Sequence, residues 1–498
     1  MKIGKYSLGI DLGSSSVKVS VLNIDTGKSE GSSSFPKIEM EIMSPEKAWA
    51  EQHPKIWWEN TCLAIREVMQ KSNVSGKDIA AIGIAYQMHG LVIVDKDLEP
   101  LRPSIIWCDS RAVEIGERLL EKVGKAKSLA SLLNSPGNFT LSKLLWVKEN
   151  EPKVFEKIYK FMLPGDFIAM KLSDEVQTTP SGLSEGIMWD FLNNEPAGFL
   201  FDEAGIGTDL IPSITSNFGI QSRLCVRVAS ELGLASGIPI SYRAGDQPNN
   251  AFALGLLNPG EAAANAGTSG VVYGVSEKVN YDPLSRVNTF AHVNHNSGQT
   301  RLGVLLCING TGIANSWFRK LSGASTFETM NEEAGQIPPG SDKLLFLPFG
   351  NGAERMLGNR FTGARLLNLD FTAHTNGTIF RAVQEGIACA FKYGMDIMHE
   401  TGVDVNVIRA GQANLFLSEV FAQSLSGLTG AEIHLFDTDG SLGAARGAAL
   451  GAGLYSSEED CFSELKKIRS FTPSPQTTSM YKDLYGEWKE ALDKTINS

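Results

Sequence analysis

The chain contains no apolar run approaching the length a membrane-spanning helix needs, and its Met1–Ser7 opening leads straight into a first strand without the h-region of a signal peptide. Basic residues are in deficit: 45 lysines and arginines against 56 acids leave a net charge of −11, which argues against nucleic acid or an anionic membrane as partner. An anionic substrate held by local donors stays open. Cysteine is sparse, and Cys62, Cys108, Cys225, Cys307, Cys389 and Cys461 show no C-x-x-C spacing, which favours buried thiols in a reducing compartment over zinc or disulfides. The expected location is the cytoplasm. Both common nucleotide signatures are missing. Gly27-Lys28-Ser29 has Leu22 where a P-loop needs glycine, and Gly310-Thr311-Gly312 has Asn315 where a dinucleotide loop needs glycine or alanine.

What is present points elsewhere. At 498 residues, 42% hydrophobic and 20% charged, the chain has the composition of a soluble enzyme and the length for two domains. The most informative stretch runs from Ala244 to Gly270, AGDQPNNAFALGLLNPGEAAANAGTSG. Asp246 follows Gly245, a residue that lets the backbone turn tightly and aim a carboxylate into a cleft. About twenty residues on, Asn265 to Gly270 offers small side chains and backbone N–H groups that can wrap an anion. A carboxylate base near a phosphate cradle suggests phosphoryl transfer.

The cradle recurs near the N-terminus. Residues 8–21 laid over 262–275 match Gly13 with Gly267, Ser15 with Ser269, Val17 with Val271 and Val21 with Val275, with Asp11 opposite Asn265. Each copy predicts a β-hairpin with a tip built for close approach, and the pair predicts two similar lobes sharing one nucleotide. Between them, a helix carries Trp58, Cys62, Ile65 and Met69 on one face, and a buried strand Ile79–Tyr86 ends at Gln87-Met88-His89-Gly90, where open α/β sheets place substrate groups. Asp109-Ser110 is set to cap a helix from Arg111. The second lobe is expected to hold a helix from about Thr378 to His399, a strand 405–410 running into Gly411-Gln412-Ala413-Asn414, and a glycine-rich helix 441–454. Beyond about Ser456 the chain is expected to be polar and helical, with Trp488 as anchor. His292 and His295 lack a third ligand at helical spacing and are read as surface or packing.

The ordered set of 9–16 (GIDLGSSS), 87–90 (QMHG), 101–107 (LRPSIIW) with Asp109 and Arg111, 143–146 (KLLW), 245–246 and 267–270 resembles the FGGY carbohydrate kinases over nearly the whole chain. The resemblance implies an α/β chain of two actin-like ATPase (ribonuclease H-like) lobes with a central cleft, an N-terminal sugar lobe over 1–252 and a C-terminal nucleotide lobe over 253–498, with the hinge near Asp246 to Pro259. It implies transfer of the γ-phosphate of ATP to the 5-hydroxyl of D-xylulose, with L-ribulose, gluconate or glycerol as alternative acceptors, and a homodimer as an assembly to test. Asp246 would be the catalytic base; Gln87, Met88, His89, Gly90 and Gln247 would join it at the sugar; and Asp11 would hold Mg²⁺. Gly13, Ser14, Ser15, Gly267, Thr268, Ser269, Gly310, Gly411, Gln412 and Asn414 would contact ATP. Two departures stand out: Ala244-Gly245-Asp246-Gln247 replaces a Gly-Gly-Asp-Asn run, and Ala410-Gly411-Gln412-Ala413 replaces a Gly-Gly-Gly-Ala turn. A non-enzymatic reading, an actin-like assembly protein, shares the hairpins but has no need of residues 87–90 and Asp246.

Overall fold

A computed structural model gives the structure of residues 5–497, so Met1 to Gly4 of the expected lead-in lie outside the described residues. The chain divides into two units, the first comprising Met1–Leu257, Phe290–Leu302 and Thr438–Leu465, the second Asn258–Thr289, Gly303–Asp437 and Lys466–Ser498. Two later segments thus return to the first unit, which a single boundary after residue 252 does not anticipate.

In the first unit a six-stranded sheet runs in the order Phe218–Arg223, Pro239–Gly245, Ile79–Tyr86, Tyr6–Leu12, Val17–Asn23, Ser29–Phe35. The Tyr6–Leu12, Ile79–Tyr86 and Pro239–Gly245 strands are mutually parallel, and Val17–Asn23 returns antiparallel as the first hairpin. The near-continuous apolar run IAAIGIAY suits a strand covered on both faces. Helix Pro54–Ser72 buries Trp57, Thr61, Ile65 and Val68, one position round from the face expected from Trp58 and Met69, which sit at the margin of the core. The next helix begins at Val113 with no side-chain cap, because Asp109 instead pairs with Arg111 at 2.7 Å.

The glycine-rich helix, Gly440–Gly451, belongs to this first unit rather than to the second lobe where its place in the chain put it. Its small residues present backbone to the sheet. A Cβ on Gly83 would lie 2.0 Å from the Ala444 carbonyl oxygen, and one on Gly9 would lie 1.9 Å from that of Ser441. Only a side-chain-free strand lets the helix approach this closely.

The second unit repeats the theme. Its sheet runs Asn288–Ala291, Leu302–Ile308, Gly270–Ser276, Gly260–Ala266, Val405–Gly411, Glu432–Phe436, Lys467–Phe471, the first of these lying where the chain passes from one unit to the other. Helix Asn376–Glu400 carries Val383, Ile387, Phe391 and Met398 into the core, close to the expected bounds. The polar tail holds a strand, Lys467–Phe471, as well as helices, and Trp488 anchors it by donating from Nε1 to the Phe346 carbonyl at 2.8 Å.

The two hairpins are alike but not superimposable residue for residue. Leu12 pairs with Val17 across a turn of four residues, whereas Ala266 pairs with Gly270 across three. Beyond the turn the equivalence therefore shifts by one, so that Val17 answers to Gly270 and Val21 to Gly274, not to Val271 and Val275. Packing explains the glycine: a Cβ at 270 would meet Phe391 and Thr311, each at 2.7 Å.

Substituting Gly83→Val tests the helix-on-strand contact. Overpacking against backbone that cannot shift should destabilise the protein by ~3 kcal/mol or more, read from the denaturant midpoint, while Ala80→Val, half-buried and on the strand's opposite face, serves as the comparison.

Candidate active site

The site in the first unit follows from strand register. Asp11 stands opposite Ala85, and Ala85 opposite Ala244, so the three parallel strands end together and their exits lie side by side. This is the carboxyl edge, where open α/β sheets bind ligands. From it emerge the Gly13 turn, the Gln87–Gly90 segment and Asp246, which opens helix Asp246–Ala253.

Gly245 is extended at φ −57°, ψ 156°, so a tight turn is not the reason for glycine here. The reason is crowding: a Cβ would fall 2.4 Å from Glu185 Oε2 and 2.6 Å from Met88 Cγ. Burial raises the Asp246 carboxyl to about 6, against opposing hydrogen bonds from the Gln247 backbone and side chain. Asp11 goes to about 7, first through burial and then through the Asp246 and Asp439 carboxylates, with Lys18 pulling the other way. Asp439 caps the Gly440–Gly451 helix and takes an ion pair from Lys18 at 2.6 Å. Burial pushes it up, but Lys18 and Ser441 outweigh that and hold it below the usual carboxylate range.

Crowded hard oxygen donors of this kind fit a divalent cation such as Mg²⁺, which takes one or two carboxylates and completes its shell with water and phosphate. Among the described residues no group of three or more His, Cys, Asp or Glu is arranged to hold a metal by itself. Asp11 is the best donor, since its Oδ2 lies against side-chain-free Gly440.

Of the strand-end segment only His89 is more than marginally exposed. Gln87 is buried, its Nε2 3.4 Å from Gln52 Oε1, and Gly90 packs under Pro164. Met88 lies against Gly245. Gln52 also accepts from Trp57 Nε1 and donates to the Ser14 carbonyl at 2.7 Å, which fixes the first turn from behind. In that turn Gly13 N–H donates to Ser16 O, leaving the hydroxyls of Ser14 and exposed Ser15 as the outward donors. Trp107, 53% exposed, points Nε1 at Ser14 Oγ and offers the site an aromatic face. It lay inside a quoted motif without being given a role.

In the second unit the expected residues also converge. Gly312 N–H donates to Gly267 O and Ile313 N–H to Thr268 O, so helix Gly312–Ser322 is stitched to the second turn. Asn414 Nδ2 faces Asn265 Oδ1 at 3.4 Å, bringing the Gly411–Asn414 turn alongside Gly267. Thr268, Ser269, Gln412 and Asn414 are exposed. Gly310 differs: with Asn309 it gives its N–H to the buried carboxylate of Glu354, which burial raises to about 7 despite those bonds. Its N–H is thus engaged within the protein. Beside it a cavity of about 510 Å³ is lined by Ile313, Ala314, Trp317, Phe318 and Pro348.

Residues 6–253 match the N-terminal domain of the FGGY family of carbohydrate kinases. The chain is 30% identical to the xylulose kinase of Bacillus subtilis (strain 168) over 99% of its own length and 97% of that protein's. It belongs to the FGGY family. As a carbohydrate kinase it takes ATP and a sugar. The xylulose kinase of Escherichia coli (strain K12) is also 30% identical, over 92% of each chain. The fold matches that of ligand-bound xylulose kinase from Lactobacillus acidophilus at a TM-score of 0.89 and 22% identity, covering 99% of each chain. It matches a gluconate kinase from the same organism almost equally, at 0.88 and 22%, again over 99% of each. No helix among the described residues is long and apolar enough to cross a membrane.

The raised carboxyl of Asp246 makes a stability prediction. Its folded pKa, about 6, exceeds its ordinary 3.8. Between those values the folded state keeps a proton that the unfolded chain has lost, so stability falls as pH rises through the window and levels off above it. Asp246→Asn should therefore unfold at a higher temperature than the parent at pH 8, and the gap should close as pH falls below ~4, measured by calorimetry across pH.

Proposed function

We propose that this kinase transfers the γ-phosphate of ATP to the 5-hydroxyl of D-xylulose, giving D-xylulose 5-phosphate, with Asp246 as the base. The observation that carries the mechanism is a carboxylate of raised pKa at the carboxyl edge of the sheet, flanked by Met88 and His89. The near-full-length likeness to proteins named xylulose kinase supports the choice of sugar. In the reaction the hydroxyl proton passes to Asp246, the oxygen bonds to the γ-phosphorus, and the bond to the ADP oxygen breaks. A carboxylate near pH 6 suits this, being ionised at neutrality yet a competent proton acceptor. Its work is mostly positioning, since the phosphoryl group transfers through a loose transition state.

On this reading His89 and Met88 contact the sugar, Gln247 lies beside it, and Trp107 gives it an apolar wall. Gln87 and Gly90 support the segment from within. Asp11 holds Mg²⁺, directly or through water; that ion, when bound, neutralises phosphate charge. Ser14 and Ser15 in the first unit and Gly267, Thr268 and Ser269 in the second supply phosphate contacts. Gly411, Gln412 and Asn414 face the nucleoside, and the apolar cavity beside Gly310 takes the base against Trp317. The first unit is then the sugar-binding one and the second the nucleotide-binding one. A cytoplasmic location goes with this reading.

Coupled ADP release with D-xylulose, L-ribulose, gluconate and glycerol tests the sugar: D-xylulose should give the highest kcat/KM, and a different winner overturns that part alone. Asp246→Asn should lower kcat by ~10²–10⁴-fold while ATP still binds; near-full turnover would remove Asp246 from the role of base. Trp317→Ala should raise the KM for ATP and leave that for the sugar unchanged.

A further inference from the structure

Glu185 ends helix Pro180–Glu185, is 1% exposed, and has no part in the mechanism above. Its surroundings are unusual for a buried acid. The carboxylate accepts the backbone N–H of His89 and faces the Tyr86 hydroxyl, while Oε2 fills the space over Gly245 where a side chain would stand. The Glu185 main-chain carbonyl meets His89 Nδ1 at 2.9 Å; a carbonyl only accepts, so Nδ1 carries the ring proton and Nε2 is the acceptor nitrogen.

His89 needs such restraint. It is a non-glycine residue at φ +63°, in the left-handed region that L-residues rarely keep unless their surroundings hold them there. Buried Lys143 Nζ donates to its carbonyl at 2.8 Å, and its ring stands edge-on to Phe139 with centroids 4.8 Å apart. Both of its main-chain polar atoms thus end on buried ionisable side chains. The other ionisable groups around Glu185 are Asp246 at the head of its helix, and Asp166 and Arg243, 3.3 Å apart.

We propose that Glu185 is a positioning residue for phosphoryl transfer: its carboxyl holds His89 in the left-handed conformation and braces the Gly245–Asp246 step, so that one side chain sets both the sugar contact and the base. This rests on the assignment of His89 to the sugar and Asp246 to the proton. Burial, with Asp246 and Asp166 adding to it, raises the Glu185 pKa well above the usual carboxylate range, so it sits beside ionised Asp246 without adding a second charge. Its part is played by an acceptor oxygen and by its bulk, both of which glutamine retains.

The test uses the full chain with D-xylulose as probe, measuring binding calorimetrically without nucleotide and KM and kcat in turnover. Glu185→Gln should stay within ~3-fold of the parent in sugar affinity, whereas Glu185→Leu, which fills the space but accepts nothing, should weaken it ~10-fold or more and leave the KM for ATP unchanged. If Glu185 acts through His89, then adding Glu185→Leu to His89→Ala should cost less than ~2-fold further sugar affinity. Losses that multiply in the double variant, an unchanged sugar affinity in Glu185→Leu, or a rise in both KM values together would overturn the proposal. If Glu185→Leu does not fold, Glu185→Gln still decides, since a ~10-fold loss with glutamine contradicts a role for the acceptor. Asp246→Asn run alongside separates the two readings: full turnover there removes the base but leaves the Glu185–His89 coupling standing on the binding data.

Discussion

Crowding of carboxylates at one end of the first unit's sheet is the constraint from which its chemistry follows. Asp246 and Asp439 both bear on Asp11 there, and Glu185 and Asp166 lie buried behind. The cations are already engaged: Lys18 pairs with Asp439, Arg243 stands by Asp166, and Lys143, lowered to about 7 mainly by burial, serves backbone carbonyls. Asp11, Asp246 and Glu185 are left with pKa values above their ordinary range. A group of acids that resists full ionisation is disposed to accept a divalent cation at one member and a proton at another. The stability forgone by burying them is the usual cost of a prepared site.

That crowding is tolerable only because the scaffold beneath it is close-packed. Parallel strands covered on both faces and a helix seated directly on Gly9 and Gly83 leave the strand ends little room to relax. The same packing decides the details of the site: Gly245 is glycine because Glu185 and Met88 occupy its side-chain space, and His89 keeps its left-handed backbone because Glu185 and Lys143 hold both of its polar atoms. Positioning here is a property of buried polar side chains set in rigid elements, not of loop shape.

Much of this was legible in the chain. The hairpins announced themselves by repetition, Asp246 by its place between Gly245 and the second turn, and the Gln87–Gly90 segment by ending an apolar strand. Glu185 was not legible, because TTPSGLSEG looks like a loop and a lone acid in it gives no periodic signal; only the fold brings it against His89. Asp439 was hidden for a related reason. Chain order placed the glycine-rich helix and its cap with the second lobe, whereas its flat face fits the first unit's sheet. The one-residue difference between the hairpins was masked by a serine match within the turn and valine matches beyond it, where only hydrogen-bond register can tell which residues correspond. Glu354 escaped because its partners, the N–H groups of Asn309 and Gly310, have no side-chain signature.

The shared position of Asp11 and Asn265 shows how two similar hairpins come to do different work. Each sits two residues before the turn glycine, on the same strand of its hairpin. A bare carboxylate at either position would repel phosphate unless a cation stood between them. In the first unit that arrangement is available, for Asp11 lies with Asp246 and Asp439 in a surrounding that favours a cation. In the second unit position 265 is an amide facing another amide, Asn414, beside exposed hydroxyls at Thr268 and Ser269. Neutral donors there can meet phosphate oxygens without charge repulsion and without a metal. On the proposed reading, a carboxylate at one strand end and an amide at the other suit one copy of the hairpin to a cation and the other to an anion.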